Sequence, residues 1–425
     1  MVLIPIIILY MKILHINYTD LVGGRFNGYL MSKNHKYLFD SQMAVWVKKS
    51  NDDFVYQIPP KNKLIWNLWN RFLILTSRFG LDRLIGFGGW ILAKQTYFKN
   101  TDIIHLHLIH NFSNFSILTL PFISKLKPVV WTLHDPWALT GGCEHSFDCN
   151  KWQNGCSIPC PHPRAKSLFQ SYTPYFHWKI KKYIYSKSNV TLVVASEWMK
   201  KKVELSPLLK QFDCNIIPFG LSLKQFKPLD KFDSKTKFGI PRNHKVIAFR
   251  DSGLKKDKFK GLRWLKEALE LYEVNEPTTL LIFEKGDDFK FLENKFNVIC
   301  LGWIDGDELV TALSAADIFI MPSIQESFGL MAVESMACGT PVMVFEGTAL
   351  PSIVKHGIGG IVIPLKDSKA LAESIFNILD DNDLRLRMSA QARKIVEENY
   401  NEENYIESHH ELYKKVIAKF KNDQV

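Results

Sequence analysis

The stretch Asp317-Ile-Phe-Ile-Met-Pro-Ser-Ile-Gln-Glu326-Ser-Phe-Gly-Leu-Met-Ala-Val-Glu334-Ser-Met-Ala-Cys-Gly-Thr-Pro341-Val-Met-Val-Phe345 decides the fold. Asp317–Met321 is a short apolar run fit for a parallel strand buried on both faces. Pro322 and Ser323 break it, and Gly329 opens a helical segment. Gly339 and Pro341 stop that helix, the glycine as its left-handed end and the proline as a barrier beyond it. Pro341–Phe345 is the next strand. The order strand, loop, helix, strand puts Glu326 in a loop at a strand's carboxyl end and Glu334 on the helix that follows.

Open α/β sheets bind ligands at that place. The first backbone N–H groups of the helix, Gly329 to Met331, have no partner inside it and favour an anion such as a diphosphate. A carboxylate offers two acceptor oxygens, which suits the paired hydroxyls of a ribose or hexose. Phosphate donors flanked by two diol acceptors describe a site for a nucleotide-sugar. The competing reading, two solvated surface charges, is the ordinary one for a bare pair of glutamates eight positions apart. The strand-loop-helix frame and the Gly/Pro stop turn the balance toward a site.

A chain of 425 residues exceeds a single hydrophobic core, and two domains of roughly 200 residues are expected. Both halves alternate strand and helix. Expected strands are Lys12–Asn17, Ala44–Val47, Asp102–Leu106, Pro128–Leu133 and Val190–Ala195, then Lys245–Phe249, Thr279–Phe283, Asn297–Leu301, Asp317–Met321, Pro341–Phe345 and Gly360–Ile363. Expected helices include Leu64–Thr76, Ser113–Lys125, Ala165–Lys187, Glu197–Val203, Leu262–Leu271, Asp307–Ser314, Leu330–Cys338 and Ser368–Leu379. Such alternation gives α/β units with parallel sheets and helices on both faces, here two Rossmann-like domains. Pro218 and Gly220 interrupt the pattern at the join. An amphipathic segment, Glu402–Phe420, closes the chain. The apolar Met1–Tyr10 is too short to span a bilayer, which needs ~20 residues, and lacks the basic flank of a signal peptide. It reads as an upstream translation start in preference to a membrane-touching extension, with Met11 as the alternative first residue.

These residues resemble the retaining glycosyltransferases of family four, and the resemblance runs from Met11 to the last helix, strongest between Leu301 and Pro364. It implies the GT-B fold: two Rossmann-like domains facing a central cleft, with a C-terminal helix packing back on the N-terminal domain. The implied layout is an acceptor-binding domain at 11–218, a nucleotide-sugar-binding domain at 219–400 and the closing helix at 401–425. It also implies roles. Glu326 contacts the hydroxyls of the donor sugar, Glu334 the ribose, and Phe328, Gly329, Leu330 and Met331 line the phosphate end. Arg250 and Lys260, the latter in a Lys-Gly pair, hold the departing diphosphate. The loop between them is longer than the family's, so Lys256 or Lys258 are alternatives for Lys260. Each cation ~4 Å from the leaving group is worth roughly 4 kcal/mol at an effective dielectric of 20, so two can substitute for a divalent metal. Gly24, after the first strand, is implied as a donor or acceptor contact. His134 reaches the reacting centre, with Asp135 beside it orienting the ring or meeting the acceptor. His105, His107 and His110 are weaker candidates. The family often carries a Glu where this chain has Ser352, and no role is carried over to it.

Four of the seven cysteines, Cys143, Cys149, Cys156 and Cys160, fall within eighteen positions. Four clustered thiols can hold a structural zinc, although the spacing lacks tight Cys-x2-Cys knuckles. Reduced thiols, or pairs in a loop over the acceptor cleft, are the alternative. Asp305-Gly-Asp307 imitates a metal-binding Asp-x-Asp but precedes an apolar helical pattern and reads as a cap. No cofactor is expected for catalysis.

The net charge of +11 admits nucleic acid, an anionic membrane or a polyanion as partner. No nucleic-acid motif is present. Two segments mix cations with aromatics at helical spacing: Lys61–Leu75 with Trp66, Trp69, Phe72 and Leu73, and a second with Tyr175, Phe176, Trp178, Lys179, Lys181, Lys182, Tyr183 and Tyr185. They suit an anionic bilayer surface or are core aromatics with a wet cationic face. The expected function is transfer of a sugar from a nucleoside-diphosphate sugar to a glycan or lipid-linked glycan acceptor in cell-surface polysaccharide biosynthesis, in the cytoplasm or at the inner face of the membrane. A nucleotide-sugar epimerase and a basic nucleic-acid-binding protein are the alternatives.

Overall fold

The computed structural model describes residues 11–35, 38–58, 62–77, 84, 86, 88–110, 115–160, 168–253 and 259–423. The apolar extension at residues 1–10, Lys61, Lys256 and Lys258 lie outside the described residues. The chain forms two compact units. The first comprises residues up to 195, 199–217 and 406–425; the second comprises 196–198 and 218–405.

The first unit holds seven strands: β1 (Met11–Thr19), β2 (Phe39–Val47), β3 (Val55–Gln57), β4 (Ile103–Leu106), β5 (Val129–Thr132), β6 (Thr191–Val194) and β7 (Cys214–Ile216). They pair in parallel in the order β3-β2-β1-β4-β5-β6-β7. The second unit holds β8 (Lys245–Asp251), β9 (Thr278–Glu284), β10 (Asn297–Gly302), β11 (Ile318–Met321), β12 (Val342–Phe345) and β13 (Gly360–Ile363). Their order, also parallel throughout, is β10-β9-β8-β11-β12-β13. Every residue of β11 and β12 is buried, which is why both read as unbroken apolar runs and not as alternating strands.

Both sheets are doubly wound, and the direction of winding reverses between β1 and β4 in one and between β8 and β11 in the other. A crevice opens at the carboxyl ends of the strands where winding reverses. These two places therefore decide where ligand chemistry can sit.

Among the described elements that the sequence pattern did not give, three have a clear physical reason. Strands β3 and β7 are three-residue edge strands, partly exposed and partly polar. The 18-residue helix Asn382–Asn399 carries few apolar residues, and its buried face includes Arg385. Arg385 belongs to an ionic core: Asp317, 4% exposed, accepts from Lys231 at 2.7 Å and from the Val246 amide at 2.8 Å, with Arg385 Nε 3.4 Å away. Burial alone would raise the Asp317 carboxyl, but Lys231, Lys235 and Arg385 outweigh it and hold it below the usual carboxylate range. This cluster ties helices Lys231–Lys237 and Asn382–Asn399 to the start of β11.

The last helix, Glu402–Asn422, passes from the second unit into the first, as the resemblance implies. Tyr413, fully buried, sets its ring edge against Phe39 of β2 and its hydroxyl 2.6 Å from His105 Nδ1. Among the described residues no helix is long and apolar enough to cross a membrane.

Breaking a buried ion cluster by removing one partner costs ~3–5 kcal/mol because the remaining charges stay buried. Asp317→Asn is expected to destabilise the second unit by that amount in urea unfolding; a loss below ~1 kcal/mol would show that the cluster is solvated and weak.

Candidate functional site

In the second unit the carboxyl ends of β8 and β11 are held together by close backbone approach. Gly261 has φ +75°, and a Cβ there would sit 1.8 Å from the Pro322 carbonyl oxygen. Only glycine permits that contact. The adjacent Phe259 carbonyl accepts the Ile324 amide at 2.8 Å. The Lys260-Gly261 turn is thereby locked onto the loop leaving β11. As a result Lys260 Nζ donates to Glu326 Oε2 at 3.0 Å. The Glu326 main chain is anchored in turn, its carbonyl accepting the Ala349 amide at 3.1 Å.

Gly329, φ +103°, packs so tightly on Leu350 that a Cβ would meet its Cδ2 at 2.2 Å. It begins the helix Leu330–Ala337, which has no side-chain cap. The amides of the half-buried Leu330 and Met331 occupy its first turn. Glu334, one turn further, is 1% exposed. That burial rules out the reading of this glutamate as a solvated surface charge. One assignment needs correcting. Phe328 is 3% exposed, with its ring edge-on to Phe219 at 5.1 Å and to Tyr400 at 5.7 Å. Its side chain is core, and only its main chain is placed to line a ligand site.

Arg250, near the end of β8, turns toward the neighbouring strands. Its Nε lies 3.7 Å from Glu284 Oε2 at the end of β9, and its guanidinium lies 4.5 Å over Trp303, just past β10. The structure thus brings Lys260 and Glu326 together and gives Arg250 a separate pairing. Sequence reasoning missed Glu284 and Trp303, which come close to Arg250 only through the order β10-β9-β8. It also missed Asp251, fully buried, whose two oxygens accept the Gly253 amide at 2.7 Å and the Gly286 amide at 3.0 Å, clamping the loops after β8 and β9. Asp305 caps its helix as expected, accepting the Gly306 amide at 2.8 Å.

In the first unit, the loop after β1 is organised by Asn27, whose amide donates to the carbonyls of Thr19, Asp20 and Val22. Gly24 is half-buried in that loop. Phe26 in the same loop packs on His134, with ring centroids 5.2 Å apart. His134 follows β5 and contacts His107 Nδ1 through Nε2 at 3.3 Å. His107 Nε2 lies 3.0 Å from His15 Nδ1. Three imidazoles on β1 and just beyond β4 and β5 therefore form a chain ending at His134, and neutral rings with one donor and one acceptor each can satisfy it. Gly28, φ +90°, makes room for it, since a Cβ there would lie 2.3 Å from His15 Nδ1.

His15, His105 and His107 lie close enough together for a metal ion. However, His105 contacts Tyr413 and Thr132 through its two ring nitrogens, at 2.6 and 2.7 Å, and we read the cluster as a neutral stack. Asp135 accepts the Trp137 amide at 2.8 Å, capping the turn Pro136–Leu139, and pairs with His110 at 3.1 Å. Burial would raise its carboxyl, but His110 and the Trp137 amide outweigh it and keep it below its ordinary value.

Residues 230–395 match the model of the glycosyl transferases group 1 family. That segment contains Arg250, Lys260, Glu326 and Glu334. An uncharacterised glycosyltransferase of Methanocaldococcus jannaschii is 29% identical over 192 residues, 44% of this chain and 48% of that protein. The chain thus spans about half the length of that relative. An uncharacterised protein in the cps region of Klebsiella pneumoniae is 24% identical over 331 residues, 76% of this chain and 82% of that one. Among solved structures, Anabaena HepE in complex with UDP and glucose superposes with a TM-score of 0.64 at 15% identity, covering 96% of this chain and 100% of HepE. The likeness is one of fold, and the fold is that of GT-B glycosyltransferases.

Burial depresses His15 to about 3, His134 to about 4, and His105 and His107 well below the ordinary value; neighbouring histidines add to it in His15, His105 and His107, and in His134 the nearby Asp135 opposes it. The native state keeps them neutral while the unfolded chain takes up protons below a pH of about 6.5, so stability must fall as pH falls from there, by up to ~1.4 kcal/mol per histidine per pH unit. The melting temperature of the first unit is expected to drop steeply between pH 7 and pH 5. A flat profile over that range would show the imidazoles to be hydrated.

Proposed function

We propose that this chain is a retaining glycosyltransferase that moves a sugar from a nucleoside-diphosphate sugar to a glycan or lipid-linked glycan acceptor. One observation carries the reading: Lys260 and Glu326 meet at 3.0 Å where the second sheet reverses its winding. A cation beside a carboxylate at that edge offers one group to the leaving diphosphate and the other to sugar hydroxyls. The match of residues 230–395 to the group 1 family supports it.

The roles follow from the chemistry. Lys260, Arg250 and the amides before Met331 take the growing charge of the diphosphate. Donor entry exchanges the Lys260–Glu326 contact for two new ones, Lys260 to phosphate and Glu326 to hydroxyls. Such an exchange costs little, because a partly exposed ion pair is worth only ~0–1 kcal/mol. Glu334 takes the ribose. Gly24 lets the backbone approach the ligand. His134, held neutral by burial, acts as a hydrogen-bonding group at the reacting centre and not as a cation. Asp135, paired to His110, positions that neighbourhood. The two cations carry the charge that a divalent metal carries in other transferases. Departure of the diphosphate and attack by the acceptor take place on one face of the sugar, without a covalent enzyme intermediate.

Glu326→Ala is expected to lower transfer by ~10²-fold or more while leaving the melting temperature unchanged. Unaltered turnover in the purified variant would remove the assignment. A thermal-shift screen with UDP-, GDP- and ADP-sugars identifies the donor, because a ligand that binds only the native state raises its stability.

Synthesis of a cell-surface polysaccharide at the cytoplasmic membrane face suits the surface. Helix Lys63–Ser77 leaves Leu64, Ile65, Leu68, Phe72 and Leu75 exposed along one side, with Arg71 exposed beside them. Its opposite side stacks Trp66 on Trp46 at 4.4 Å. Helix Leu168–Tyr185 exposes Tyr172, Phe176 and Tyr183 at helical spacing alongside Lys179 and Lys182. Its Trp178, Lys181 and Tyr185 are buried, so these three belong to the core and not to a membrane face. Exposed apolar side chains beside cations suit an anionic bilayer surface. The double variant Leu68→Glu, Phe72→Glu is expected to lose flotation with vesicles containing anionic lipid while retaining its fold. Equal flotation of variant and wild type would rule out this helix as the contact.

A further inference from the structure

Cys143, Cys149, Cys156 and Cys160 face one small pocket, which also includes His145 and has about 20 Å³ of free space. A single water-sized sphere needs ~10–15 Å³, so the pocket suits one small ion and no organic ligand. We propose that these four sulfurs bind a structural zinc ion.

The backbone is shaped to converge them. Cys156 itself has φ +57° and Phe147 φ +44°, conformations that side-chain-bearing residues adopt only under constraint. The Cys149 amide donates to the Ser146 carbonyl, the Cys156 amide to Lys151 and the Cys160 amide to Ser171. The Cys143 carbonyl accepts the Thr140 hydroxyl at 2.8 Å. Helix Leu168–Tyr185 pins the segment from below: Trp178 Nε1 donates to the Trp152 carbonyl at 2.9 Å, and Lys181 to those of Trp137 and Thr140.

Charge points the same way. Four thiolates around Zn²⁺ leave a net charge of −2, which calls for cations nearby. Lys181 is 1% exposed. Lys202, depressed by burial, lies 3.5 Å from Ser146 Oγ and 5.5 Å over Trp152, and both of those residues line the pocket. Zinc binding displaces the four thiol protons to solvent. Among the described residues no three of these sulfurs lie within 4.8 Å of one another. Sulfurs at ~2.3 Å from zinc are ~3.8 Å apart, so binding draws the segment inward. The other three cysteines lie apart: Cys300 is exposed, Cys338 is buried, and Cys214 is on β7.

The test uses the full chain and zinc alone. Elemental analysis of protein purified under reducing conditions is expected to find about one zinc per chain, and below about a tenth of that in the double variant Cys143→Ser, Cys160→Ser. Cys214→Ser and Cys300→Ser should retain the full amount. If the double variant fails to fold, wild type suffices: a membrane-permeant chelator should lower its melting temperature and ZnCl₂ should restore it. Wild-type protein that holds less than about a tenth of an equivalent after incubation with ZnCl₂ overturns the proposal. So does zinc content unaffected by the double substitution, or a disulfide among these cysteines in the unreduced protein.

Discussion

The contact between Lys260 and Glu326 is the interaction on which the functional account depends, and glycine makes it available. A side chain at position 261 would collide with the Pro322 carbonyl, and one at 329 with Leu350. Take Gly261 away and the two loops at the carboxyl ends of β8 and β11 could not lie this close; Gly329 seats the start of the following helix against Leu350. The cation and the carboxylate would then occupy separate surfaces. With the loops in contact, a positive and a negative group share one edge of a sheet, and a ligand carrying both phosphate and hydroxyls can engage each.

Desolvation organises the first unit in the same way that close approach organises the second. His15, His105 and His107 are buried so deeply that they stay neutral; His15, His107 and the half-buried His134 bond in a chain, while His105 bonds to Tyr413 and Thr132. The chain ends at His134. Its position and protonation state are therefore set by residues that no ligand needs to touch. Tyr413, from the last helix, holds His105, whose ring lies 4.1 Å from that of His107, so the end of the polypeptide helps to set the histidine stack.

What could be read in advance was local. The buried strands β11 and β12 announced themselves as apolar runs, and the Gly/Pro stop placed the helix carrying Glu334. The resemblance gives Lys260 and Glu326 separate roles, and the contact between them comes from the structure. What could not be read was set by neighbours distant in sequence. Arg250 pairs with Glu284 and Trp303 because β9 and β10 lie beside β8. The imidazole chain exists because β4 lies between β1 and β5. The Phe328 side chain is core because Phe219 and Tyr400, on distant segments, pack against it. The Asn382–Asn399 helix was hidden because its buried face mixes Met388, Ala392, Ile395 and Val396 with Arg385, which pairs with Asp317.

The most direct measurement is calorimetric titration of a nucleoside diphosphate into wild type and Lys260→Ala. A cation that holds the phosphates predicts at least about tenfold weaker binding in the variant at unchanged melting temperature, and a smaller dependence of affinity on salt. Equal affinity in the two proteins would contradict the account, since the charged edge of the second sheet would then have no part in holding the donor.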